Sequence, residues 1–292
     1  MPGLDRYLAL GGGALHLHGE GGETHSRAAA GRWLREHDGG ATLFVCMQVC
    51  HDGWDERAAR PIDRFTADAV RADIAEDLAL IERRRIDLAY LDDRPDRRAA
   101  PVLDALAGEI AAGRVGAVGL RNWPADRIAA DDASLKAAGA PGVAAIVTTE
   151  LALPVASQPL WPEYVPFDAE LRRTINDLGL AVFAHAADYT IGQCLFGDAD
   201  PRAAMRPEWV RRWEPKTNAP LVAAVRATAD RLGASPRAVS VAWMLSREFP
   251  VSVIVGLPDL LGPYGGDYVR AAELAHDPAI VALGFVREGI AG

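Results

Sequence analysis

The sequence predicts an α/β fold of the (β/α)8-barrel type, one domain over residues 1–292, with a shortened or irregular N-terminal part. Three observations predict it. Short apolar runs alternate with amphipathic helical runs, which is the signature of βα units and a parallel sheet. Half of the 292 residues are apolar, enough to bury a sizeable core. No linker, repeat or low-complexity tract divides the chain, and α/β barrels commonly reach this length as one domain.

The elements follow in order. Tyr7–Leu10 and Ala14–His18 read as short strands or a hairpin, and Gly11-Gly12-Gly13 between them reads as a turn. No helix start follows these glycines, so they do not match a phosphate-binding fingerprint. Leu43–Gln48 is an apolar strand. Thr66 can cap a helix running to about Arg84, with Val70, Ile74, Leu78 and Ile81 on one face. Ile86–Leu91 is the next strand. Pro101 opens a helix through Ile110 that Gly113 stops. Val115–Leu120, Ala144–Thr149, Leu180–Ala184 and Ser252–Val255 are further strands. Asn218 leads into a helix over Leu221–Leu232, and Ser235-Pro236 opens one over Arg237–Ser246. Six strands follow residue 40, so the N-terminal segment must supply the rest of a closed barrel, in too few residues for two full βα units.

Composition excludes several classes. The net charge is −9, and acidic and basic residues are interleaved, so no polyanion or nucleic-acid partner is expected. No apolar run approaches the ~18 residues of a membrane span. The N-terminus lacks the basic and apolar stretches of a signal peptide. Three cysteines, Cys46, Cys50 and Cys194, fit reduced thiols with a structural role. A cytoplasmic protein acting on a small molecule is expected, and homo-oligomerisation is left open.

Several segments carry a family resemblance. Asp87–Pro95, reading DLAYLDDRP, is similar to a strand end written DLYLLHRPD in the aldo-keto reductases. Gly113–Trp123, reading GRVGAVGLRNW, resembles their GKVRAIGVSNW. Phe44–Asp55 resembles a TKGGHPDWDD segment of one bacterial branch. Glu150–Trp161 resembles that branch's FSLAVPNEPPWP, and Val239–Leu245 resembles its VALAWLL helix. The likeness runs in consistent order over roughly residues 24 to 275. It implies the (β/α)8 barrel, with an active site at the C-terminal strand ends.

The resemblance also implies carbonyl reduction by NADPH with a Tyr, Lys, Asp and His. A proton donor must meet the oxygen of the carbonyl that receives hydride, and a cation must lower that donor's pKa. The residues depart from this pattern. Gln48 stands at the Lys position, and Asp92, or Asp93 one place on, at the His position. His16 to His25 contains no Asp and no Tyr where the family keeps both. The chain's two lysines, Lys136 and Lys216, fall in a helix and a loop. Arg121-Asn122 replaces the family's Ser-Asn. His185 stands where an aromatic should stack on nicotinamide, and Ala186 follows it where a Ser is expected. Asp259 lies where a cation should hold the 2′-phosphate, which it would repel.

Candidate site residues lie at the predicted strand ends. Asp92 and Asp93 can share one proton and act as acid or base, or be neutralised by Arg94, Arg97 or Arg98. Gln48, His51 and Trp54 follow one strand; His51 is a candidate general base or an ordinary loop residue. His185 is a second histidine of the kind. Arg121 and Asn122 can hold an acidic substrate, or Arg121 can pair with Asp92, Asp93 or Glu150. Trp54, Trp123, Trp161 and Tyr189 can line an apolar cavity or fill the core. His16 and His18 form a His-x-His pair, but strand ends holding Asp92, Arg121 and Gly256 do not complete a metal set, so no metal is expected.

Three functions remain in view. The first is a cofactor-independent acid–base reaction: cyclisation, isomerisation, or dehydration or another elimination, in the manner of tailoring steps of specialised metabolism. Asp92 or Asp93 would work there with His51 or His185, and Arg121, Asn122, Glu150 and the aromatics would bind substrate. The second is an NADPH-dependent oxidoreductase with a rebuilt site. The third is a non-catalytic binding or scaffold protein.

Overall fold

A computed structural model describes residues 2–17, 24–37, 43–51, 53–55, 60–159, 164–185, 195, 212–213, 215–256, 260–262 and 265–291. Its elements are α1 (Pro2–Ala9), β1 (Ala14–Leu17), α2 (Thr24–Glu36), β2 (Phe44–Gln48), β3 (Gly53–Asp55), β4 (Arg60–Ile62), α3 (Ala67–Ile81), β5 (Ile86–Asp92), α4 (Ala100–Ala111), β6 (Val115–Arg121), α5 (Ala125–Ala137) and β7 (Val143–Thr148). There follow α6 (Ala169–Leu178), β8 (Ala181–His185), α7 (Pro215–Leu232), α8 (Pro236–Leu245), β9 (Val251–Ile254), α9 (Gly265–Leu274) and α10 (Pro278–Ala291). Strand–helix alternation with parallel strands places the chain in the (β/α)8-barrel class. Among the described residues no helix is long and apolar enough to cross a membrane.

The chain divides into two compact units. The first holds Gly12–Val147 and Arg173–Leu180; the second holds Pro2–Gly11, Thr148–Arg172 and Ala181–Gly292. In the first, β1, β2, β5, β6 and β7 lie side by side in that order, each pair parallel. The side chains of β2, β5, β6 and β7 are mostly buried, as expected where a parallel sheet is covered on both faces, while β1 buries only Leu15. Gly119 on β6 makes room for Tyr90 on β5, since a Cβ there would lie 3.0 Å from that of Tyr90. Helices α2 and α3 touch at Gly31, where a Cβ would collide with the Leu80 carbonyl oxygen at 2.1 Å. β3 and β4 form a separate antiparallel ribbon.

Thr66 caps α3 as expected: its side-chain oxygen accepts a hydrogen bond from the Ala69 amide at 3.1 Å. Thr66→Ala is expected to lower unfolding stability by about 1 kcal/mol, read as a fall in the urea midpoint at unchanged slope. The helix stops at Ile81, short of Arg84, because Glu82 adopts the left-handed conformation (φ 51°) and its amide bonds back to the Leu78 carbonyl.

The N-terminal expectation is corrected. Residues 7–9 are the end of a helix, because Leu4, Tyr7 and Leu8 repeat at helical spacing; Gly11 (φ 86°) closes that helix, its amide donating to the Leu8 carbonyl. Ala14–Leu17 is a strand but no hairpin arm, since it runs parallel to β2 with His16 opposite Cys46.

The second unit holds the parallel pair β8–β9 together with α7, α8, α9 and α10. Asn218 is fully buried there and clamps a loop. Its Oδ1 accepts from the Val155 amide at 2.8 Å, and its Nδ2 donates to the carbonyls of Val155 and Trp213 at 3.0 Å. It sits inside α7, which begins earlier than expected and carries Pro220 in its first turns.

Candidate functional site

Three strands of the first unit bring polar side chains to their C-terminal ends. Gln48 ends β2, Asp92 ends β5 and Arg121 ends β6; in register, Tyr90 pairs with Gln48 and Asp92 with Arg121. Arg121 grips Asp92 with two parallel bonds, Nε to Oδ1 and Nη2 to Oδ2. This fork geometry is the strongest form of carboxylate recognition. Gln48 donates from Nε2 to Oδ2 of the same carboxylate at 2.9 Å, and Asn122 from Nδ2 to Oδ1 at 3.5 Å. Asn122 reaches it from a left-handed backbone (φ 59°), which Asn tolerates better than most residues.

Burial is uneven across this cluster. Gln48 and Arg121 are buried, whereas the Asp92 side chain keeps 24 % of its surface open. The carboxylate and the half-buried Asn122 are therefore its accessible members. Gln48 Oε1 is buried with no hydrogen-bond partner among the described residues. With Nε2 committed to Asp92, this oxygen is a spare acceptor. Below them, Tyr90 stacks on His16 of β1, ring centroids 5.1 Å apart, and the Arg121 guanidinium lies 5.7 Å from the Tyr90 ring. Tyr90 and His16 were not singled out as partners of this site. The signal was present, because Tyr90 lies two residues before Asp92 and a strand's side chains share a face at every second position.

Asp92 and Asp93 are held by different arginines, as successive side chains of an extended chain point to opposite faces. Asp93 turns to Arg127 of α5, which bonds its Oδ1. Its side chain is buried, and burial raises its pKa against the opposing pull of the Arg127 charge. Arg127 in turn lies over Trp123, 5.2 Å from the ring centroid. Trp123 is buried, packs against Phe65 and donates from Nε1 to Asp131 at 2.6 Å. That is a packing role for an expected substrate-binding residue.

His51 is half-buried just beyond Gln48. Between them Cys50 takes a left-handed backbone (φ 57°), and its amide donates to Asp73 Oδ2 at 2.8 Å. Burial pushes the Cys50 thiol up to about 12 and raises that of Cys46 as well, so both stay protonated at neutral pH. Trp54 lies on β3; Trp161, Tyr189, Ala186, Cys194 and His18 fall outside the described residues. Among the described residues no three His, Cys, Asp or Glu side chains group as metal ligands.

In the second unit His185 ends β8, half-buried, in register with Ile254. Glu150 does not stand open to a ligand there. Arg212 holds both its oxygens, at 3.2 and 2.9 Å, with both side chains buried. Burial raises the Glu150 pKa and lowers that of Arg212, while each charge opposes the other's shift.

The model of the Aldo/keto reductase family matches residues 21–260, most of the chain. The chain belongs to this family. A search of the curated proteins finds no match. Family membership agrees with the barrel class and with polar residues gathered at the C-terminal strand ends.

Proposed function

We propose that the chain catalyses a cofactor-independent acid–base reaction on a small carbonyl compound: an isomerisation, a cyclisation, or a dehydration or other elimination. One observation carries the proposal. Gln48 and Asp92 stand where the family resemblance expects Lys and His, and both are joined with Arg121 in one hydrogen-bonded cluster. Hydride delivery needs a phenol beside an ammonium at that point. The donor set here is instead an amide and a guanidinium whose charge the carboxylate already balances. Lys136 is bonded to Asp132 at 2.7 Å on α5, and Lys216 lies exposed in the first turn of α7. These residues do not fit the nicotinamide chemistry of the family.

Asp92 is the acid–base group in this reading. Each of its oxygens receives Arg121 on one lone pair. The second lone pair of Oδ2 takes Gln48 at 2.9 Å, while that of Oδ1 takes only the long 3.5 Å contact from Asn122. A substrate C–H or O–H can displace Asn122 and deliver its proton to Oδ1. Gln48 Oε1 accepts a hydrogen bond from the substrate, and Arg121 fixes the carboxylate plane. His51, on the loop leaving the same strand end as Gln48, is the proposed counterpart that returns the proton. Asp92 is favoured over Asp93 because Asp93 is buried against Arg127.

The test has two arms. NADPH titrated against the intrinsic fluorescence of the seven tryptophans should give no saturable change at micromolar concentrations. In D2O, without any nicotinamide, the protein should catalyse deuterium uptake next to the carbonyl of small 1,3-dicarbonyl compounds, followed by NMR. Micromolar NADPH binding, with NADPH-dependent loss of carbonyl and no deuterium uptake, would overturn the proposal in favour of a rebuilt reductase.

A further inference from the structure

The second unit contains a cavity of about 620 Å³, in the size range of small-molecule sites. Its apolar walls include Leu151, Pro154, Phe167 and Phe249, the two phenylalanine rings 5.9 Å apart. Trp243 at the end of α8, Arg247 just beyond it and Arg287 on α10 form the polar side.

The donors on that side outnumber their acceptors. Arg247 lies over the Trp243 ring, 3.9 Å from its centroid. It donates from Nε to the Trp243 carbonyl at 3.1 Å and from Nη2 to Ser246 Oγ at 3.0 Å. Its Nη1 meets no acceptor among the described residues. Arg287 lies 5.5 Å from the same ring and makes one long bond, Nε to the Ala152 carbonyl at 3.4 Å. Neither guanidinium has a carboxylate within salt-bridge distance among the described residues. Glu150, Asp168 and Glu288 also line the cavity. Glu150 is bonded to Arg212, Asp168 to the amides opening α6 and Glu248 to Arg172, while Glu288 is exposed and acts on both arginines through its charge without a direct bond.

A separate observation points to a missing acceptor. Trp243 is 3 % exposed, and its Nε1–H is buried with no hydrogen-bond partner among the described residues. Buried donors are almost always paired, and each exception calls for an explanation. Gly284 on α10 leaves the space beside it open. A Cβ there would sit 3.6 Å from Trp243 Nε1 and 3.9 Å from Arg247 Nη1. Two donors from different groups therefore border one small volume at Gly284, with the Arg287 guanidinium against the same indole. Burial lowers the pKa of both arginines, that of Arg247 to about 10, which a bound negative charge would reverse.

We infer that this cavity binds a small organic anion, whose carboxylate or phosphate head meets Trp243 Nε1, Arg247 and Arg287 and whose apolar body lies against Phe167 and Phe249. The inference is independent of the acid–base proposal, because it uses none of the residues assigned there.

Calorimetric titration of the full chain with benzoate, phenyl phosphate, inorganic phosphate and benzyl alcohol tests it. Benzoate or phenyl phosphate should bind saturably at one site, at least 10-fold more tightly than benzyl alcohol. The tighter of the two assigns the head group, and weaker binding of inorganic phosphate assigns the apolar body. Arg247→Gln and Arg287→Gln should each weaken binding at least 10-fold. Gly284→Ala adds a methyl at ordinary contact distance and raises helix propensity, so it should fold at least as stably while weakening binding at least 5-fold. No saturable binding of either aryl anion up to 10 mM, equal binding of benzyl alcohol, or unchanged affinity in a folded Gly284→Ala protein would overturn the inference.

Discussion

Arg27→Ala is expected to lower the stability of the protein by about 3–5 kcal/mol, the cost of stripping the partner from a buried ion pair. Arg27 on α2 bonds Asp77 on α3 where the two helices meet at Gly31. Asp77 is fully buried, and its Oδ2 has no partner among the described residues. Burial outweighs the Arg27 charge and pushes the Asp77 pKa up to about 6, against about 3.9 in an unfolded chain. The folded state thus holds this proton more tightly than the unfolded one. The Asp77 contribution is fully present below about pH 4 and is lost as pH rises through 6. Removing Arg27 raises the folded pKa further, so the deficit of Arg27→Ala should grow between pH 5 and 8. Adding Asp77→Asn to Arg27→Ala should recover part of it at pH 8, because no charge then stays buried. Urea denaturation of the three proteins at both pH values checks this; a deficit below 1 kcal/mol at pH 8, or one that shrinks with pH, would show that water reaches Asp77.

The sheet was legible in the sequence because its strands are covered on both faces and read as unbroken apolar runs. Ile86–Leu91 and Val115–Leu120 are each one residue short of the strands observed, and the missing residues are Asp92 and Arg121. The sequence sets those two polar residues at the strand ends, just past the apolar runs. They are the last rungs of the ladder, paired with each other across it. Adjacency in the sequence suggests a dyad of Asp92 and Asp93, whereas two-residue periodicity on an extended β5 sets them on opposite faces. Arg121 was foreseen as a ligand for substrate or as the partner of an acid, and it is the partner of Asp92. The buried pairs Arg27–Asp77 and Glu150–Arg212 were not legible. They join residues 50 and 62 positions apart, and in a single sequence nothing links such residues before the fold brings them together. Residues 7–9 were misread because an apolar run of four fits a strand and a helix end equally well.

Asp92→Asn should reduce cofactor-free deuterium uptake by about 10²–10⁴-fold, the usual contribution of one placed acid–base group. The substitution keeps the side-chain shape but removes the charge that Arg121 faces, and it gives the cluster an amide N–H₂ where two donors already converge on Oδ2. The loss should fall on kcat, with KM changed by no more than a few-fold, because the proton acceptor is needed in the transition state rather than for binding. Asp93→Asn is the matched control. It neutralises the neighbouring carboxylate, but that carboxylate faces Arg127, so uptake should stay within about 3-fold of the parent. Gln48→Leu falls between the two. It deletes the free Oε1 acceptor and the bond to Oδ2, and it should raise KM more than it lowers kcat. Equal losses at Asp92 and Asp93 would mean that the two positions matter only for folding. Full activity in Asp92→Asn would move the proton to another group, and His16 stacked on Tyr90 beneath the cluster would be the next residue to change.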